Sequence, residues 1–392
     1  MMHFLMGIWD YVIVFLIILT IVVFVHEMGH FLVARWCGVR VETFSIGFGP
    51  EIWGRTVKSG TRWRISLFPI GGYVKMFGDA DAASTPDGDR QFSAAERREA
   101  FQFKNVYQRA AIVAAGPVSN FIFGIIGLAL LFMISGEART APVVGQVQPA
   151  SAAAEVGLQP GDKIVEANGS AIGSFQDLQR VIGMSVGEPI ALVIERKLDS
   201  TPEGGEEASH LERLSLLSHP QINEITDLFG NVHRTPVLGV IADPAATVLI
   251  TFNPATAVIE AVRQTGDMVG STLTGIGQMI LGQRDSKEIG GPLRIAKGAA
   301  AAAKIGLGGV AFYIILLSIN LGLFNLFPVP LLDGGHLLFC LIEWVRGRPL
   351  GAQAQEYGFR VGLFLVFALM LFSTRNDLLD LHVWDFIKRV IS

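Results

Sequence analysis

The pentapeptide His26-Glu27-Met28-Gly29-His30 has the residue types and the spacing of a metal-dependent hydrolytic site. Residues four apart lie on one face of a helix, so both imidazoles can bind the same metal ion. Glu27 then lies beside the metal and can accept a proton from water as a general base. Zinc suits imidazole ligands and supplies hydroxide near neutral pH. The segment therefore predicts a zinc-dependent hydrolase with His26 and His30 as ligands.

A catalytic zinc usually has three protein ligands and one open position. Asp333 is a candidate for the third, because it ends an uncharged apolar stretch where an unpaired carboxylate is costly. Pro328 and Pro330 break the helix before it, and two glycines follow it. His336 is a rival ligand three residues further on. It ranks lower because it lies further past the break, although the residues alone do not settle the choice.

The sequence around these candidates has the composition of a membrane protein. Hydrophobic residues make up 51% of the 392-residue chain and charged residues only 17%, whereas soluble proteins have about 25% charged residues. Four apolar stretches approach the roughly 20 residues that a helix needs to cross a bilayer. The first contains the 26–30 pentapeptide, whose three ionisable groups need a compensating partner there, and a metal ion would provide one.

The distribution of charge predicts an orientation in the membrane. Residues 35–109 contain 12 Lys and Arg against 8 Asp and Glu, whereas residues 136–255 contain 7 against 15. Because basic loops stay on the cytoplasmic side, the first segment is predicted to be cytoplasmic and the second external. Both chain ends are then external. Cys37 and Cys340 lie outside the external segment, so no disulfide is expected to stabilise it.

The segments between the apolar stretches have strand and helix patterns. In the cytoplasmic segment, residues 62–67 alternate, and residues 73–76 follow the pair Gly71-Gly72, which favours hairpins. The external segment has strand signals at 143–147, 163–167 and 190–194 and helical spacing at 175–182, enough for one small α+β domain. Residues 255–282 form an amphipathic pattern, which predicts a helix on the membrane surface or one packed on the external domain.

Three motifs, in this order along the chain, resemble those of the site-2 protease family, which comprises intramembrane zinc metalloproteases. They are HEMGH (26–30), GPVSN (116–120) and NLFPVPLLDGGH (325–336). The external segment and GPLRIAKG (291–298) point to the Gram-negative branch, the regulator-of-sigma-E protease type. Well-known members of that branch have two tandem external domains, whereas this chain shows one.

The resemblance implies a role for each matching residue. His26, His30 and Asp333 correspond to the Zn²⁺ ligands and Glu27 to the catalytic base. Asn325 corresponds to a substrate-binding residue, and it could steady the scissile carbonyl as oxyanion donors do. For Asn120 we expect an interhelical hydrogen bond instead.

The resemblance also implies that the hairpin containing residues 73–76 dips into the membrane near the site. A helix in lipid must be opened before water can attack its peptide bonds. A strand edge offers replacement hydrogen bonds, so the hairpin could hold substrate as an added strand. Gly71, Gly72, Tyr73 and Val74 are therefore predicted to bind substrate.

Residues 151–164 and 167–169 of the external segment resemble a PDZ domain. A PDZ groove binds an extended peptide as an added strand and holds its terminal carboxylate with main-chain amides. Gly157 and Leu158 are predicted to lie near that groove. The alternative is a steric plug that binds no peptide.

We therefore predict a multi-spanning α-helical membrane protein with about four transmembrane helices, a cytoplasmic-side membrane-associated β-hairpin region and an external α+β PDZ-like domain. The predicted segments are transmembrane helix 1 with HExxH (1–34), the cytoplasmic segment with its hairpin (35–109), transmembrane helix 2 (110–136), the periplasmic PDZ-like domain (137–245), the amphipathic helix (255–282), transmembrane helix 3 with the LDGG motif (305–335) and transmembrane helix 4 (357–374).

The predicted function is intramembrane zinc endopeptidase activity on single-pass membrane proteins. The resemblance implies a first external cut by a site-1-type protease and suggests an anti-sigma factor as substrate. The expected location is the bacterial inner membrane, in contact with lipid, with the domain periplasmic and the active site toward the cytoplasm. No nucleic acid is expected as a partner. A catalytically silent PDZ-bearing scaffold is the alternative, and the intact Glu27 argues against it. A transporter would need ionisable groups in more of the spans.

Overall fold

The computed structural model describes residues 2–78, 92–186, 188–198, 210–226, 232–284, 290–348 and 350–380. The chain forms two compact units, one of residues 1–128 with 289–392 and one of residues 129–288. The helices are α1 (Met2–Trp36), α2 (Ala94–Glu99), α3 (Val106–Ser135), α4 (Ala152–Glu155), α5 (Phe175–Met184), α6 (Pro254–Ile280), α7 (Pro292–Ile305), α8 (Leu307–Asn325), α9 (Asp333–Arg346) and α10 (Ala352–Asp380).

The strands alternate with these helices in two parts of the chain. They are β1 (Val41–Thr56), β2 (Arg62–Met76), β3 (Glu137–Thr140), β4 (Val144–Val147), β5 (Lys163–Ala167), β6 (Ser170–Ala171), β7 (Ile190–Leu198), β8 (His210–Ser218), β9 (Gln221–Thr226), β10 (Val232–Val237), β11 (Val240–Ala242) and β12 (Thr247–Ile250). Only β1 and β2 belong to the first unit among the strands that the structure describes.

Four helices in the described part of the chain are long and apolar enough to cross a membrane. Their apolar windows are Val12–Trp36, Val106–Ser135, Leu307–Asn325 and Gln353–Leu378. Large apolar side chains such as Ile126 and Phe364 are exposed on them, 54% and 70% respectively. Exposed apolar surface along whole helices is typical of lipid contact rather than of a water-soluble surface. The protein is therefore a membrane protein.

The third span differs from the predicted helix over 305–335. α8 ends at Asn325, and a seven-residue break precedes α9, so the LDGG motif begins a new helix rather than ending the third span. Pro328 has no N–H to continue the helical ladder, and the main chain tightens before it, with Leu326 N–H donating to the Leu323 carbonyl. The fourth span is longer than the predicted 357–374, since α10 covers Ala352–Asp380.

The short helix α7 was not predicted from the sequence. It packs among α1, α8 and α10. Its N-terminus is capped by a side chain from α10: the buried Asp377 carboxylate accepts hydrogen bonds from the N–H groups of Gly291, Leu293 and Arg294, at 2.8, 2.9 and 3.1 Å. These donors have no partner within their own helix, so the carboxylate both satisfies them and complements the helix dipole.

The β1–β2 hairpin is folded back on itself, because residues 43–46 of β1 pair twice with β2. Phe44, for example, lies opposite both Val74 and Trp63. Residues 43–46 thus have a neighbour on each side, and residues 72–76 form an outer edge of the sheet. The stacked rings of Phe44 and Trp63, with centroids 4.5 Å apart, stabilise this folding.

The second unit contains a small α+β domain with antiparallel strand pairs, and its strands confirm the three predicted at 143–147, 163–167 and 190–194. Its main sheet has the order β6-β5-β7-β8, and α5 covers a core of aliphatic side chains that includes Ile164, Leu178 and Ile194. Asp162, 1% exposed, is paired with the Arg196 guanidinium at 2.7 Å. This hydrogen bonding raises the pKa of Arg196 above its usual value and fixes the loop before β5.

α6 corresponds to the amphipathic pattern at 255–282, and it packs on α5 within the second unit. Arg180 of α5 pairs with Asp267 at 2.5 Å, and the Gln278 amide donates to the Met184 carbonyl. The opposite face of α6 leaves apolar side chains such as Ile259 exposed. Packing on the domain is therefore confirmed, and the outer face remains suited to the membrane surface.

Candidate active site

Three candidate ligands converge at one point of the first unit. The Nε2 atom of His26 lies 3.1 Å from Asp333 Oδ2 and that of His30 lies 3.5 Å from it. The two Nε2 atoms are 3.2 Å apart. Among the residues described, this is the group of His, Cys, Asp and Glu side chains arranged to hold a metal ion, with ligand atoms all within 4.8 Å of one another.

The donor set fits zinc by its own chemistry. Asp333 Oδ2 is buried and has no hydrogen-bond partner in the described structure, although two imidazole nitrogens lie close to it. A buried carboxylate oxygen without a partner is costly, and a cation between the three atoms would remove that cost. Two imidazoles and one carboxylate with an open side are a typical donor set of catalytic zinc.

The helix break places Asp333 beside α1. Because α8 stops at Asn325, the chain turns back and Asp333 begins α9 at the level of the two histidines. Gly334 and Gly335 make this possible: a Cβ at these positions would lie 2.2 Å from the Phe327 carbonyl oxygen and 2.4 Å from that of Val329. Their role is close packing against the break, rather than the freedom of the following chain expected from the sequence.

The Nδ1 atom of His30, which points away from the other candidate ligands, is fixed by α3. Its Nδ1–H donates to the Ile112 carbonyl at 2.9 Å, which leaves the Nε2 lone pair directed at the ligand cluster. Gly116 leaves room for both rings, since a Cβ there would lie 2.2 Å from His30 Nε2. α3 thus orients a ligand and forms one wall of the site.

Asn120 of α3 lies beside His26, as the Ile112 carbonyl lies beside His30. Its side-chain amide is 3.2 Å from His26 Nδ1, and its Oδ1 is buried without a partner. If Nε2 of His26 binds a metal, Nδ1 carries the proton and must donate it. A half-turn of the amide brings Oδ1 to this proton and satisfies both groups. The interhelical hydrogen bond predicted for Asn120 therefore joins α3 to a ligand.

This arrangement predicts that Asn120 supports metal binding. Asn120→Leu should weaken zinc affinity by roughly 10- to 100-fold, the usual cost of losing the partner of a ligating histidine. Asn120→Asp should retain the affinity, because a carboxylate accepts the same proton. Zinc content after dialysis against graded chelator measures the difference. Equal zinc retention by the Leu and Asp variants would contradict the orienting role.

Glu27 lies beside the three ligands, near the outer edge of the hairpin sheet. The cavity at the site is lined by Glu27, the ligands and residues 72–74. Gly72 lets this edge approach α1, since a Cβ there would be 3.2 Å from Glu27 Cγ and 2.8 Å from the Ser45 carbonyl oxygen. Glu27 thus lines the cavity without belonging to the group of candidate ligands.

The predicted substrate-binding residues of the first unit mostly reach this cavity. Asn325, Gly72, Tyr73 and Val74 line it. Gly71 does not; its positive φ of 94° forms the bend before the edge strand. His336 also lines the cavity, although it is outside the ligand cluster.

Gly157 and Leu158 belong to the second unit. Gly157 is open to solvent, and its carbonyl accepts a hydrogen bond from Arg196 at 2.9 Å. Leu158 is 4% exposed and packs in the domain core. Direct peptide contact by Leu158 is therefore not supported, because its apolar side chain completes the core instead.

The chain is similar to known proteins along most of its length. The model of peptidase family M50 matches residues 14–369. A protein of Agrobacterium fabrum named as a candidate zinc metalloprotease is 44% identical, over 95% of this chain and 96% of the relative. The metalloprotease MmpA of Caulobacter vibrioides is 36% identical, over 95% and 96% of the two chains.

A solved PDZ domain, from an SdrC-like protein of Listeria monocytogenes, matches 26% of this chain and 84% of that chain. Its sequence identity is 24% and the TM-score is 0.16.

The chain belongs to peptidase family M50. It is a membrane zinc metalloendopeptidase.

Proposed function

We propose that this protein hydrolyses peptide bonds within the transmembrane segments of single-pass membrane proteins. The observation that carries the proposal is the location of the candidate zinc site. His26 and His30 lie inside the apolar window Val12–Trp36, and Asp333 reaches them from the end of the break after α8. A peptidase site within a membrane span is of use only for a substrate that enters the membrane as well.

Each residue has a distinct role in the proposed reaction. His26, His30 and Asp333 hold the zinc ion, which supplies a Lewis acid that makes water nucleophilic at neutral pH. Glu27 accepts the proton of the attacking water and returns it to the amide nitrogen as the C–N bond breaks. Asn325 lines the same cavity and would bind the substrate main chain.

The outer edge of the hairpin is the proposed docking strand for substrate. Residues 72–76 have their β1 partner on one side, and the other side faces the cavity that contains Glu27. An unwound substrate segment can pair with this edge through main-chain hydrogen bonds, which replace those lost from its own helix. Gly72, Tyr73 and Val74 would then set the register of the scissile bond, with Gly71 as the bend that ends the strand.

We infer the substrate class from the proposed location of the site. A single-pass protein first cut externally by a site-1-type protease fits, because a bulky folded ectodomain would hinder entry to a site within the membrane. An anti-sigma factor is one such protein. We place the second unit, with its PDZ-like domain at 137–245, in the periplasm, and the hairpin and metal site toward the cytoplasmic face of a bacterial inner membrane.

This orientation predicts the outcome of labelling in intact cells. In a background with Cys37 and Cys340 replaced by Ala, an impermeant thiol reagent should label Ser170→Cys before lysis and Ala95→Cys only after lysis. Both positions are exposed in the structure. Labelling of Ala95→Cys in intact cells would reverse the topology.

The decisive experiment is to map the bond that is cut. Purified enzyme in liposomes, given a single-pass substrate with a short ectodomain, should yield two fragments whose new termini lie inside the apolar segment by mass spectrometry. The Glu27→Gln enzyme should yield none. New termini only in the flanking soluble residues would rule out intramembrane cleavage while leaving the metallopeptidase activity intact.

A further inference from the structure

His336 lies in the catalytic cavity but outside the ligand cluster. It is three residues after Asp333 at the start of α9, so the two side chains lie on the same face of that helix. Its imidazole lines the cavity together with Glu27 and Asn325. His336 has no role in the mechanism proposed above.

The ring is held in place by aromatic neighbours rather than by hydrogen bonds. The Phe359 and Phe339 centroids lie 5.3 and 6.3 Å from the His336 centroid. Neither ring nitrogen has a hydrogen-bond partner in the part of the chain that the structure describes, and neither is among its fully buried polar atoms without a partner. Each nitrogen therefore keeps some accessible surface, and the residue as a whole lines the cavity.

An imidazole can donate a hydrogen bond in either protonation state, because at least one ring nitrogen carries a proton. The two phenylalanine rings restrict rotation of the His336 side chain, so the donor is pre-positioned. A fixed donor in a protein cavity stabilises developing negative charge far better than one in bulk water.

Peptide hydrolysis creates such a charge at a defined atom. When the water oxygen bonds to the scissile carbonyl carbon, the C=O π electrons move to the carbonyl oxygen, and the water proton goes to Glu27. When the C–N bond then breaks, the electron pair goes to nitrogen, which takes the proton from Glu27. The carbonyl oxygen is thus negative only between these steps, and it must lie in the cavity that Glu27 and His336 both line.

We propose that His336 is a further catalytic residue, which donates a hydrogen bond to the scissile carbonyl oxygen as that oxygen becomes negative. The proposal rests on the proposed function and adds an oxyanion donor to it. His336 holds no metal and transfers no proton, so its contribution is confined to the transition state.

The test compares four substitutions in the full-length enzyme. His336→Ala and His336→Phe both remove the donor, and the Phe variant keeps most of the ring volume. His336→Gln and His336→Asn return an N–H near the positions of Nε2 and Nδ1, respectively. For each variant, kcat and KM on a model transmembrane substrate, bound zinc, and affinity for a peptide analogue with a tetrahedral phosphoryl group are measured.

We expect kcat of the Ala and Phe variants to fall by about 100- to 1,000-fold, as for loss of one oxyanion donor. KM and zinc content should change less than about twofold, whereas the phosphoryl analogue should bind more weakly in step with kcat. At least one amide variant should recover about tenfold in kcat, and which one recovers identifies the donating nitrogen.

Three results would overturn the proposal. Unchanged kcat in the Ala variant would remove His336 from catalysis, and loss of zinc from that variant would make it a ligand. Equal losses in the Phe, Gln and Asn variants would mean that His336 only fills space. In each case, inactivity of Glu27→Gln in the same assay shows that the proposed function itself stands, whereas normal turnover by Glu27→Gln would refute that function first.

Discussion

Glu27→Gln should lower the rate of peptide cleavage by about 100- to 10,000-fold, the usual contribution of a positioned general base. The amide keeps the shape of the side chain but cannot accept the proton of water. Glu27 lines the cavity and lies outside the group of converging ligand atoms. The variant should therefore retain bound zinc, which metal analysis of the purified protein measures beside the cleavage assay.

The matched control for this variant is Glu356→Gln. Glu356 is an exposed residue of α10 that pairs with Arg360 at 2.6 Å and is not among the residues that line the cavity. The Glu356→Gln enzyme should cleave at the normal rate, because exposed ion pairs of this kind contribute little to stability. Normal turnover by Glu27→Gln would refute its assignment as the base, and loss of zinc from that variant would indicate a ligand instead.

Asp333→Asn should release most of the zinc. The substitution removes the negative charge and one strong donor from a site with only two other protein ligands. The loss of affinity should exceed the roughly 10- to 100-fold typical of an outer-sphere partner. Zinc stoichiometry after exposure to a chelator of known affinity gives the measurement, and activity should fall with the metal.

His336→Ala is the matched control for metal binding, because it lies on the same helix and in the same cavity as Asp333. It should keep its zinc, since the ligand cluster contains His26, His30 and Asp333. If zinc were lost only from the His336 variant, the third ligand would have been assigned wrongly.

Much of the site could be predicted from the sequence, because His26, Glu27 and His30 lie within five consecutive residues. The spacing of His26 and His30 fixes their relation on any helix, whatever the rest of the fold. The choice between Asp333 and His336 could not be made from the residues alone, because it depends on where the chain turns after Asn325. Pro328 indicated that a break occurs but gave neither its length nor its direction.

The interactions that could not be predicted join residues distant in sequence. Asn120 meets His26 across 94 residues, and Asp377 caps the N-terminus of α7 from 86 residues beyond Gly291. An Asn in an apolar helix indicates an interhelical hydrogen bond, but composition does not identify its partner. The Ala-rich α7 has no long apolar run, so its sequence does not indicate a membrane-spanning helix.

The strand pairing of the hairpin could also be predicted only in part. Alternation at 62–67 and the pair Gly71-Gly72 were sufficient to predict extended chain with a change of direction. The structure shows one continuous strand, β2, in which Gly71 has a φ of +94°. The double pairing of Phe44 with Val74 and Trp63 could not be predicted, because each strand alone has the same alternation in either arrangement. The outer edge at residues 72–76 follows only from that pairing.

The division of the ligands between the two ends of the chain has a consequence for biosynthesis. About 300 residues separate His30 from Asp333, so at about 5–20 residues per second a ribosome needs roughly 15–60 s to pass from one to the other. During that interval the nascent enzyme has a base and two imidazoles but no carboxylate to complete the metal site. The nascent chain itself is therefore expected to be inactive until α8 has entered the membrane and α9 has begun to form. This delay follows from the order of the ligands along the sequence.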